Sequence, residues 1–335
     1  MIRVAILGAS GYVGGELLRL IAAHPAMEVA VAFGSSTAGR QVADVHPHLA
    51  LAYPNMMLAM WAPSLLADTD LILAALPHGQ TQRLADELLA PAIPIVDLGA
   101  DFRLDSAAEF ETWYGEPHQR PDLLGSFVYG LPEFYRADIA AATRVAAPGC
   151  YPTAANLALK PLLDAGAIEA KGIIVDAASG VSGAGRSTKA GTHFCSVDGS
   201  FRAYGLTAHR HTAEMEMVSG ASVLFTPHLM ATSRGILATC YAKAIGTPDP
   251  LAILREAYAD EPFVHVGENL PETKWATGSN AAFLSVRFDQ RTGMVVALAA
   301  IDNLGKGAAG QMIQCANLML GLDERAGLSN IGVYP

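Results

Sequence analysis

The chain has 335 residues, a length that suits two domains of ordinary size better than a single core. Hydrophobic residues make up 51% of it and charged residues only 16%, so there is ample material for buried sheets. The net charge of -10 argues against nucleic acid or an anionic membrane surface as a partner. The four cysteines lie far apart with no C-x-x-C pair, which indicates neither a zinc knuckle nor a disulfide framework.

The N-terminal sequence indicates a cytoplasmic location. Met1 leads almost directly into the apolar stretch Ile2–Leu7, with no charged leader before a long apolar segment. No apolar run reaches membrane-spanning length. We therefore expect a protein that is neither exported nor embedded in a membrane, with reduced thiols.

A glycine-rich turn follows the first predicted strand and precedes an amphipathic helix. Gly8 permits the tight turn, Gly11 lets the backbone approach a pyrophosphate, and Gly14 lets the helix pack on its strand. This order predicts a dinucleotide site, with a purely structural turn as the alternative. The other residues expected to contact the dinucleotide are Ser10, Tyr12 and Val13.

A polar loop follows the second apolar run, Met27–Phe33, and bears on the choice of cofactor. An NAD site normally shows an acidic residue here that holds the ribose 2′-hydroxyl, and none is present. Ser35, Ser36 and Arg40 can instead hold a 2′-phosphate, so the loop favours NADPH. A solvated polar loop is the alternative.

Further buried strands are predicted at 70–76, 93–98 and 144–147. The loops after the first two lie at strand carboxyl ends, where open α/β sheets place ligands. Arg103 is accordingly a candidate for holding a substrate anion, and Pro77 and His78 are candidate contacts on the cofactor side. An incidental loop histidine is the alternative for His78.

A lone cysteine, Cys150, lies where an apolar run gives way to a helix. Pro152 and Thr153 are helix-opening residues, so Cys150 is expected at or just before the first turn. Unpaired N–H groups and the helix dipole favour the thiolate there, which is the form that attacks carbonyl carbons. A small buried thiol packed under a sheet is the alternative.

A strand at 173–178 runs into a loop rich in glycine and serine that ends in two cations. Backbone N–H groups of Ser179, Gly180 and Gly183 could approach an anion or a nicotinamide. Arg186 and Lys189 are candidate ligands for a negatively charged substrate. A flexible linker is the alternative.

A pair of histidines, His209 and His211, supplies candidate proton donors. Alternate residues of an extended segment point to opposite faces, so both rings should not face one metal unless the backbone turns. No metal site is expected. Which of the two moves a proton stays open, and the other could orient it or bind substrate.

The rest of the chain predicts a mostly antiparallel sheet followed by a C-terminal helix. Candidate strands are 222–226, 235–243, 263–266, 281–288 and 294–301, and the turn 289–293 makes the last two a hairpin. The final helix, ending at Leu320, is expected to return to the first domain. The predicted parts are residues 1–148 for NADP binding, 149–303 for catalysis and oligomerisation, and 304–335 for the returning helix.

Taken together, these elements closely resemble the N-acetyl-gamma-glutamyl-phosphate reductase family. The likeness runs from residue 2 to the C-terminal Ile331-Gly-Val and includes Gly99-Ala-Asp-Phe-Arg103, Pro148-Gly-Cys150-Tyr-Pro-Thr153, His209-Arg-His211 and Asp302-Asn303-Leu-Gly-Lys306-Gly307. The resemblance implies a relative of aspartate-semialdehyde dehydrogenase with an N-terminal Rossmann domain, an α+β oligomerisation domain and NADPH as reductant. It also implies that Cys150 is the nucleophile, that His209 or His211 is the acid/base, and that Asn303 lies in the cofactor site.

The implied reaction begins with attack of Cys150 on the acyl phosphate of N-acetyl-glutamyl 5-phosphate, which releases inorganic phosphate and leaves a thioester. Hydride from NADPH then gives the semialdehyde of arginine biosynthesis, with a histidine supplying a proton. Two alternatives stay open: the aminoadipyl-phosphate reductase of lysine biosynthesis, one methylene longer in its substrate, and a non-catalytic NADP-sensing protein. A homodimer or homotetramer is expected from the apolar hairpin 281–301.

Overall fold

The computed structural model describes residues 1–334, and the chain divides into two units. The first comprises Met1–Pro148 and Ala308–Leu328, and the second comprises Gly149–Gly307 and the chain from Ser329. The functions expected of the corresponding stretches, NADP binding and catalysis, stay predictions.

Six parallel strands form the sheet of the first unit, in the order β2-β1-β3-β4-β6-β5. The strands are β1 (Ile2–Leu7), β2 (Met27–Ala32), β3 (Leu71–Ala74), β4 (Ile95–Asp97), β5 (Val128–Tyr129) and β6 (Arg144–Ala146). The predicted parallel Rossmann-type sheet is confirmed. Strand β5 was missed because two residues carry no readable alternation.

Helices cover both faces of this sheet. They are α1 (Tyr12–Ala22), α2 (Val42–Val45), α3 (Gln80–Arg83), α4 (Ala85–Leu89), α5 (Ala107–Tyr114) and α6 (Pro132–Ala141). Alternate residues of β1 enter two separate buried clusters: Val4 and Ile6 join one, and Ala5 and Leu7 join the other. A strand segment covered on both faces must be apolar at every position, which is why residues 4–7 of β1 are all apolar.

The second unit contains a seven-stranded sheet in the order β11-β12-β13-β10-β7-β9-β8. The strands are β7 (Ile173–Gly180), β8 (Phe201–Ala203), β9 (Val223–Met230), β10 (Ile236–Lys243), β11 (Val264–Val266), β12 (Ala282–Asp289) and β13 (Met294–Ile301). The helices are α7 (Cys150–Asp164), α8 (Phe194–Val197), α9 (His211–Ser219), α10 (Pro250–Ala257) and α11 (Thr273–Ala276).

The expectation of a mostly antiparallel sheet in this unit is wrong, because the sheet is mixed. Strand β7 pairs in parallel with β9, and β11 pairs in parallel with β12. The long connection from β7 to β9, which contains α8, β8 and α9, brings the chain back in the same direction. Alternation of apolar residues indicates which side chains are buried but not the direction of a neighbouring strand. The predicted hairpin of β12 and β13 is confirmed.

After β13 the chain passes through a π turn, Gly305–Ala309, into the last helix, α12 (Gly310–Met319). Helix α12 contacts α6, α1 and β4 in the first unit. Its Cys315 thiol donates a hydrogen bond to the Gly130 carbonyl at 3.3 Å. Within residues 1–334, no helix combines the length and the apolar character that crossing a membrane requires.

A buried carboxyl, Asp97, ends strand β4. Its Oδ1 accepts hydrogen bonds from the Gly99 N–H at 2.9 Å and the Thr81 hydroxyl at 3.0 Å. Burial and then the neighbouring Asp101 carboxylate raise the pKa of Asp97 from 3.8 to about 7. Asp101 is also buried, but hydrogen bonds from His78 and from the N–H groups of Gln82 and Gly79 outweigh that burial and lower its pKa.

Ionisation of Asp97 should therefore reduce stability as the pH rises. Below pH about 4 the carboxyl holds its proton in both states. Between about 4 and 7 the unfolded chain releases the proton while the folded chain keeps it, which favours unfolding by about 1.4 kcal/mol per pH unit. Above pH about 7 the effect is constant. We expect the free energy of unfolding of Asp97→Asn, relative to wild type, to rise over this range in urea titrations.

Asp138, an exposed carboxylate on α6, provides the control for this prediction. Asp138→Asn should show no such pH-dependent difference from wild type. If the curves of Asp97→Asn and wild type run parallel between pH 4 and 7, the carboxyl is not held protonated by the fold.

Candidate functional site

Helix α7 begins at Cys150, with Gly149 as its N-cap residue. The cysteine is partly exposed and forms no disulfide. Its position in the first turn places the thiol at the positive end of a long helix, where the dipole favours a thiolate. The structure therefore supplies the local setting that the sequence predicts, while the role of Cys150 as nucleophile stays a prediction.

Two glycines allow close packing around the start of α7. A Cβ added at Gly307, in the π turn, would lie 2.8 Å from the Cβ of Cys150. A Cβ added at Gly149 would lie 2.5 Å from the Nε2 atom of His211. Real Cβ atoms do not approach so closely, so both positions require glycine. The His211 ring thus lies against the residue that precedes Cys150.

A buried carboxylate, Glu214, joins the histidine pair to the start of α7. Its Oε2 atom accepts a hydrogen bond from the Gly149 N–H at 2.8 Å, and its Oε1 atom lies 3.9 Å from His211 Nε2. Glu214 has no exposed surface. The Gly149 N–H is therefore engaged by the Glu214 carboxylate.

His209 and His211 lie together because the backbone turns between them. Arg210, between them, has helical dihedral angles (φ -56°, ψ -26°), and α9 begins at His211. The ring centroids are 4.8 Å apart. The segment is thus not extended, and the sequence-based expectation that the two rings point to opposite faces does not apply.

The environment of His209 keeps its imidazole neutral. Burial, and then the adjacent Arg210 guanidinium, lower the pKa of His209 to about 4. Its Nδ1 atom accepts the His211 backbone N–H at 3.2 Å, so in the neutral ring the proton is on Nε2. Three aromatic rings surround it at centroid distances of 5.3 to 5.8 Å, those of Phe225, Tyr204 and Tyr151.

The loop after β7 is attached to the rest of the second unit by Asn303. The Asn303 amide donates to the Ser182 hydroxyl at 2.9 Å, and its oxygen accepts the Gly235 N–H at 2.7 Å. Ser179 is 2% exposed, and Gly180 packs against the backbone of Arg234. Arg186 and Lys189, farther along the loop, are exposed. Asn303 thus has a positioning role, and its predicted contact with a cofactor stays a prediction.

Asp302 organises the segment that carries Asn303. Its carboxylate accepts hydrogen bonds from Arg234 and from the N–H groups of Leu304, Gly305 and Gly278. Asp302 has no exposed surface. Because this carboxylate accepts the N–H groups of the two residues after Asn303 and of the distant Gly278, it ties the Asn303 segment to the segment of Gly278.

The glycine turn of the first unit has the geometry of a phosphate-binding cradle. Gly8 has a φ of +74°, and a Cβ there would lie 2.3 Å from the Ala75 carbonyl oxygen. A Cβ at Gly14 would lie 2.4 Å from the Gly8 oxygen. Gly11 is the N-cap residue of α1 and provides no side chain to cap the helix. These residues fit a dinucleotide, whose pyrophosphate would lie at the start of α1.

Polar groups follow strands β2, β3 and β4 in this unit. Ser35, Ser36 and Arg40 are exposed in the loop after β2. His78 Nδ1 lies 3.0 Å from Asp101 Oδ1, and Pro77 next to it is exposed. Arg103 is 6% exposed and donates to the Leu98 carbonyl at 2.6 Å.

Comparisons with known proteins agree with this architecture. Residues 3–142 match the family model for the semialdehyde dehydrogenase NAD-binding domain, and residues 150–303 match that for the semialdehyde dehydrogenase dimerisation domain. N-acetyl-gamma-glutamyl-phosphate reductase of Symbiobacterium thermophilum is 49% identical to this chain over 100% of it and 99% of the relative. The enzyme of the same name from Pseudomonas putida is 45% identical over the full length of both.

The chain belongs to the N-acetyl-gamma-glutamyl-phosphate reductase family, a family of oxidoreductases. The resemblance found in the sequence is thereby confirmed.

Solved structures support the fold of this reductase family member. A Vibrio cholerae aspartate semialdehyde dehydrogenase II complexed with ASA matches with a TM-score of 0.72 over 96% of this chain and 98% of that one, at 17% identity. A Candida albicans aspartate semialdehyde dehydrogenase with NADP matches with a TM-score of 0.68 over 96% and 98%, at 13% identity. At these identities the likeness shows the fold alone.

Sequence reasoning missed three residues that organise the site: Glu214, Asp302 and Tyr204. Glu214 lies one helical turn after His211, so a carboxylate spaced to face the histidine was the available signal. No local pattern indicates that the same carboxylate bonds to Gly149.

Among residues 1–334, no group of three or more His, Cys, Asp or Glu side chains has an arrangement that could hold a metal ion.

Proposed function

We propose that this protein catalyses the NADPH-dependent reduction of N-acetyl-L-glutamyl 5-phosphate to N-acetyl-L-glutamate 5-semialdehyde and phosphate, as a step of arginine biosynthesis. One observation carries the proposal. A cysteine begins a long helix, and a histidine paired with a buried carboxylate lies against the residue before it. The names of relatives at 45–49% identity specify the acyl phosphate.

Cys150 is the proposed nucleophile. Its sulfur forms a bond to the acyl carbon, the bond from that carbon to the phosphate oxygen breaks, and a thioester remains. The thiol proton passes to His211 and then to the departing phosphate. His211 is suited to this transfer because its ring lies against the residue before Cys150 and its Nε2 atom is 3.9 Å from the Glu214 carboxylate.

The second half of the reaction returns the sulfur to its starting state. NADPH, when bound, supplies the hydride that reduces the acyl carbon. The tetrahedral carbon then re-forms its carbonyl, its bond to the sulfur breaks, and the semialdehyde leaves. Cys150 recovers a proton through His211, so the cycle takes up one proton overall. His209, neutral with its proton on Nε2, is suited to donate a hydrogen bond to the substrate oxygen.

NADP is the proposed cofactor, held by Gly8, Ser10, Gly11, Tyr12, Val13 and Gly14 with Ser35, Ser36, Arg40 and Pro77. The loop after β2 supports the 2′-phosphate because its exposed side chains include two serines and an arginine. We assign Ser179, Gly180, Gly183 and Asn303 to the same cofactor, on the nicotinamide side. We assign Arg103, Arg186 and Lys189 to the substrate's phosphate and carboxylate.

A cytoplasmic location is part of the proposal. None of the four cysteines, Cys150, Cys195, Cys240 and Cys315, forms a disulfide. Thiols outside disulfides, including an exposed one, are stable in a reducing compartment.

The proposed assembly is a homodimer or homotetramer joined through the open face of the seven-stranded sheet. Helices α7 and α10 contact strands β10, β13 and β12. Facing residues of neighbouring strands share one face, and one such row consists of Leu224, Ile174, Tyr241 and Val296. Of these, Leu224 is 52% exposed and Ile174 is 38% exposed. Apolar side chains exposed in a row suit burial against a second copy.

The central prediction concerns the reverse reaction. The purified protein should reduce NADP with N-acetyl-glutamate semialdehyde only when phosphate is present, and NADP should be preferred to NAD. Cys150→Ser should lose at least a thousandfold in kcat, because the thioester cannot form. The exposed Cys195→Ser is the matched control and should keep wild-type rates.

Three results would contradict this proposal in different ways. Faster turnover of the aminoadipyl substrate than of the glutamyl substrate would assign the protein to lysine biosynthesis instead. NADP binding without phosphate-dependent turnover would indicate an NADP-sensing protein. Full activity of Cys150→Ser would exclude the covalent route.

A second prediction tests the role of Glu214. Glu214→Gln keeps the shape and an acceptor for the Gly149 N–H but removes the negative charge beside His211. We expect kcat to fall about tenfold with less than a twofold change in the KM of NADP, because proton transfer through His211 loses the negative charge beside it. Steady-state rates of the phosphate-dependent reverse reaction provide the measurement.

Glu216 provides the control on the same helix. It also accepts a backbone N–H, that of Val223, at 2.8 Å. Glu216→Gln should leave kcat within twofold of wild type. Identical effects of the two substitutions would mean that Glu214 acts only by supporting the fold.

A third prediction tests the assembly. Leu298→Lys, on β13, puts a charge on the proposed interface face and should convert the oligomer to a monomer in sedimentation velocity. Leu51→Lys, at a fully exposed leucine of the first unit, should leave the mass unchanged. A wild-type protein that sediments as a monomer would exclude the interface.

A further inference from the structure

The loop that carries His209 is exposed along most of its length. Every residue from Tyr204 to Ala208 is exposed, and only His209 is partly buried. The loop bonds to the neighbouring strand through the Tyr204 N–H, which donates to the Pro227 carbonyl at 3.0 Å. A loop with so little burial needs side-chain contacts to hold a histidine in one place.

The side chain of Tyr204 supplies such a contact. Its hydroxyl oxygen lies 3.1 Å from that of Tyr151, and Tyr151 in turn donates to the His228 carbonyl at 3.1 Å. A phenol has one proton, so with the Tyr151 proton on that carbonyl, Tyr204 is the donor to Tyr151. The chain of bonds therefore runs from Tyr204 to Tyr151 to the backbone of β9.

Both phenols keep their protons at neutral pH. Desolvation of the Tyr204 hydroxyl and the nearby Cys150 thiol together raise the pKa of Tyr204 to about 12, although Tyr151 and Arg210 act in the opposite direction. Burial also raises the pKa of Tyr151, and Tyr204 and the Cys150 thiol add to that effect. Cys150 is thus within electrostatic reach of both hydroxyl groups.

The two phenol rings also form part of the wall around His209. Their centroids lie 5.6 and 5.8 Å from the His209 ring, for Tyr204 and Tyr151 respectively. Tyr151 follows Cys150 directly on α7, whereas Tyr204 belongs to the histidine loop. The bond between their hydroxyl groups therefore ties the His209 loop to the turn of helix that carries the cysteine.

We propose that Tyr204 is a positioning residue of this site: its hydroxyl, bonded to Tyr151, holds the His209 loop against the start of α7 and fixes the orientation of the His209 ring relative to Cys150. The expected effect of this role on turnover rests on the proposed function. The hydrogen bond between the Tyr204 and Tyr151 hydroxyl groups is independent of that function.

Tyr204→Phe tests the role because it removes one hydroxyl and keeps the ring. In the phosphate-dependent reverse reaction we expect kcat to fall five- to tenfold, which is the size of effect expected for one lost hydrogen bond. The KM of NADP should change less than twofold. Tyr151→Phe should have an effect at least as large. The double variant should be no more than twofold slower than Tyr151→Phe, because the second hydroxyl has lost its partner.

Tyr258→Phe is the matched control. Tyr258 is 4% exposed, and its hydroxyl donates to the Leu157 carbonyl at 2.7 Å in the same unit. This variant should lower the melting temperature while kcat stays within twofold of wild type. A kcat of Tyr204→Phe within twofold of wild type, or losses that multiply in the double variant, would overturn the proposal.

A measurement without turnover separates this proposal from the enzymatic one. Iodoacetamide labelling followed by peptide mass spectrometry gives the alkylation rate of Cys150 relative to the exposed Cys195. Release of the loop should raise that ratio at least threefold in Tyr204→Phe. If the wild-type protein has no activity, the proposed function is overturned, but the alkylation ratio still tests the positioning role of Tyr204. An alkylation ratio that is the same in Tyr204→Phe and wild type would overturn that positioning role.

Discussion

The hydrogen bond from the Gly149 N–H to the buried Glu214 carboxylate is the contact on which the site depends. It joins the residue before Cys150 to the first turn of α9, two segments far apart in the sequence. A carboxylate without exposed surface is costly unless its oxygens have partners. Here one Glu214 oxygen accepts the Gly149 N–H, and the other lies 3.9 Å from His211 Nε2. The same buried carboxylate therefore contacts both the residue before Cys150 and the histidine pair.

A second buried carboxylate, Asp302, likewise joins separate segments of the chain through hydrogen bonds. It accepts the backbone N–H groups of Leu304 and Gly305, which follow Asn303, and of the distant Gly278, and it pairs with Arg234, so the backbone that carries Asn303 is held in place. The amide of Asn303 then attaches the glycine-rich loop after β7. That loop is rich in glycine and serine, yet it is not a free linker, because Asn303 and the backbone near Arg234 restrain it.

The sequence predicts those features that depend on local chain geometry. The glycine turn at 8–14 requires small residues within one β-α junction, and Cys150 at a helix start follows from the neighbouring Pro152 and Thr153. The mixed sheet was not predictable in this way, because the direction of β9 beside β7 is set by a long connection rather than by either strand's own residues. Glu214 and Tyr204 were missed for the same reason: their partners, Gly149 and Tyr151, lie more than fifty residues earlier in the chain.

The two histidines show why residue type and spacing alone cannot assign roles. They are separated by one residue, and both rings lie near the start of α7. His209 is enclosed by aromatic rings beside the Arg210 charge, which disfavours a second positive charge and keeps it neutral. His211 instead has its Nε2 atom 3.9 Å from the buried Glu214 carboxylate. Because the charged and neutral forms of imidazole do different chemistry, these different surroundings are the basis on which we propose His211 as the proton carrier and His209 as a hydrogen-bond donor.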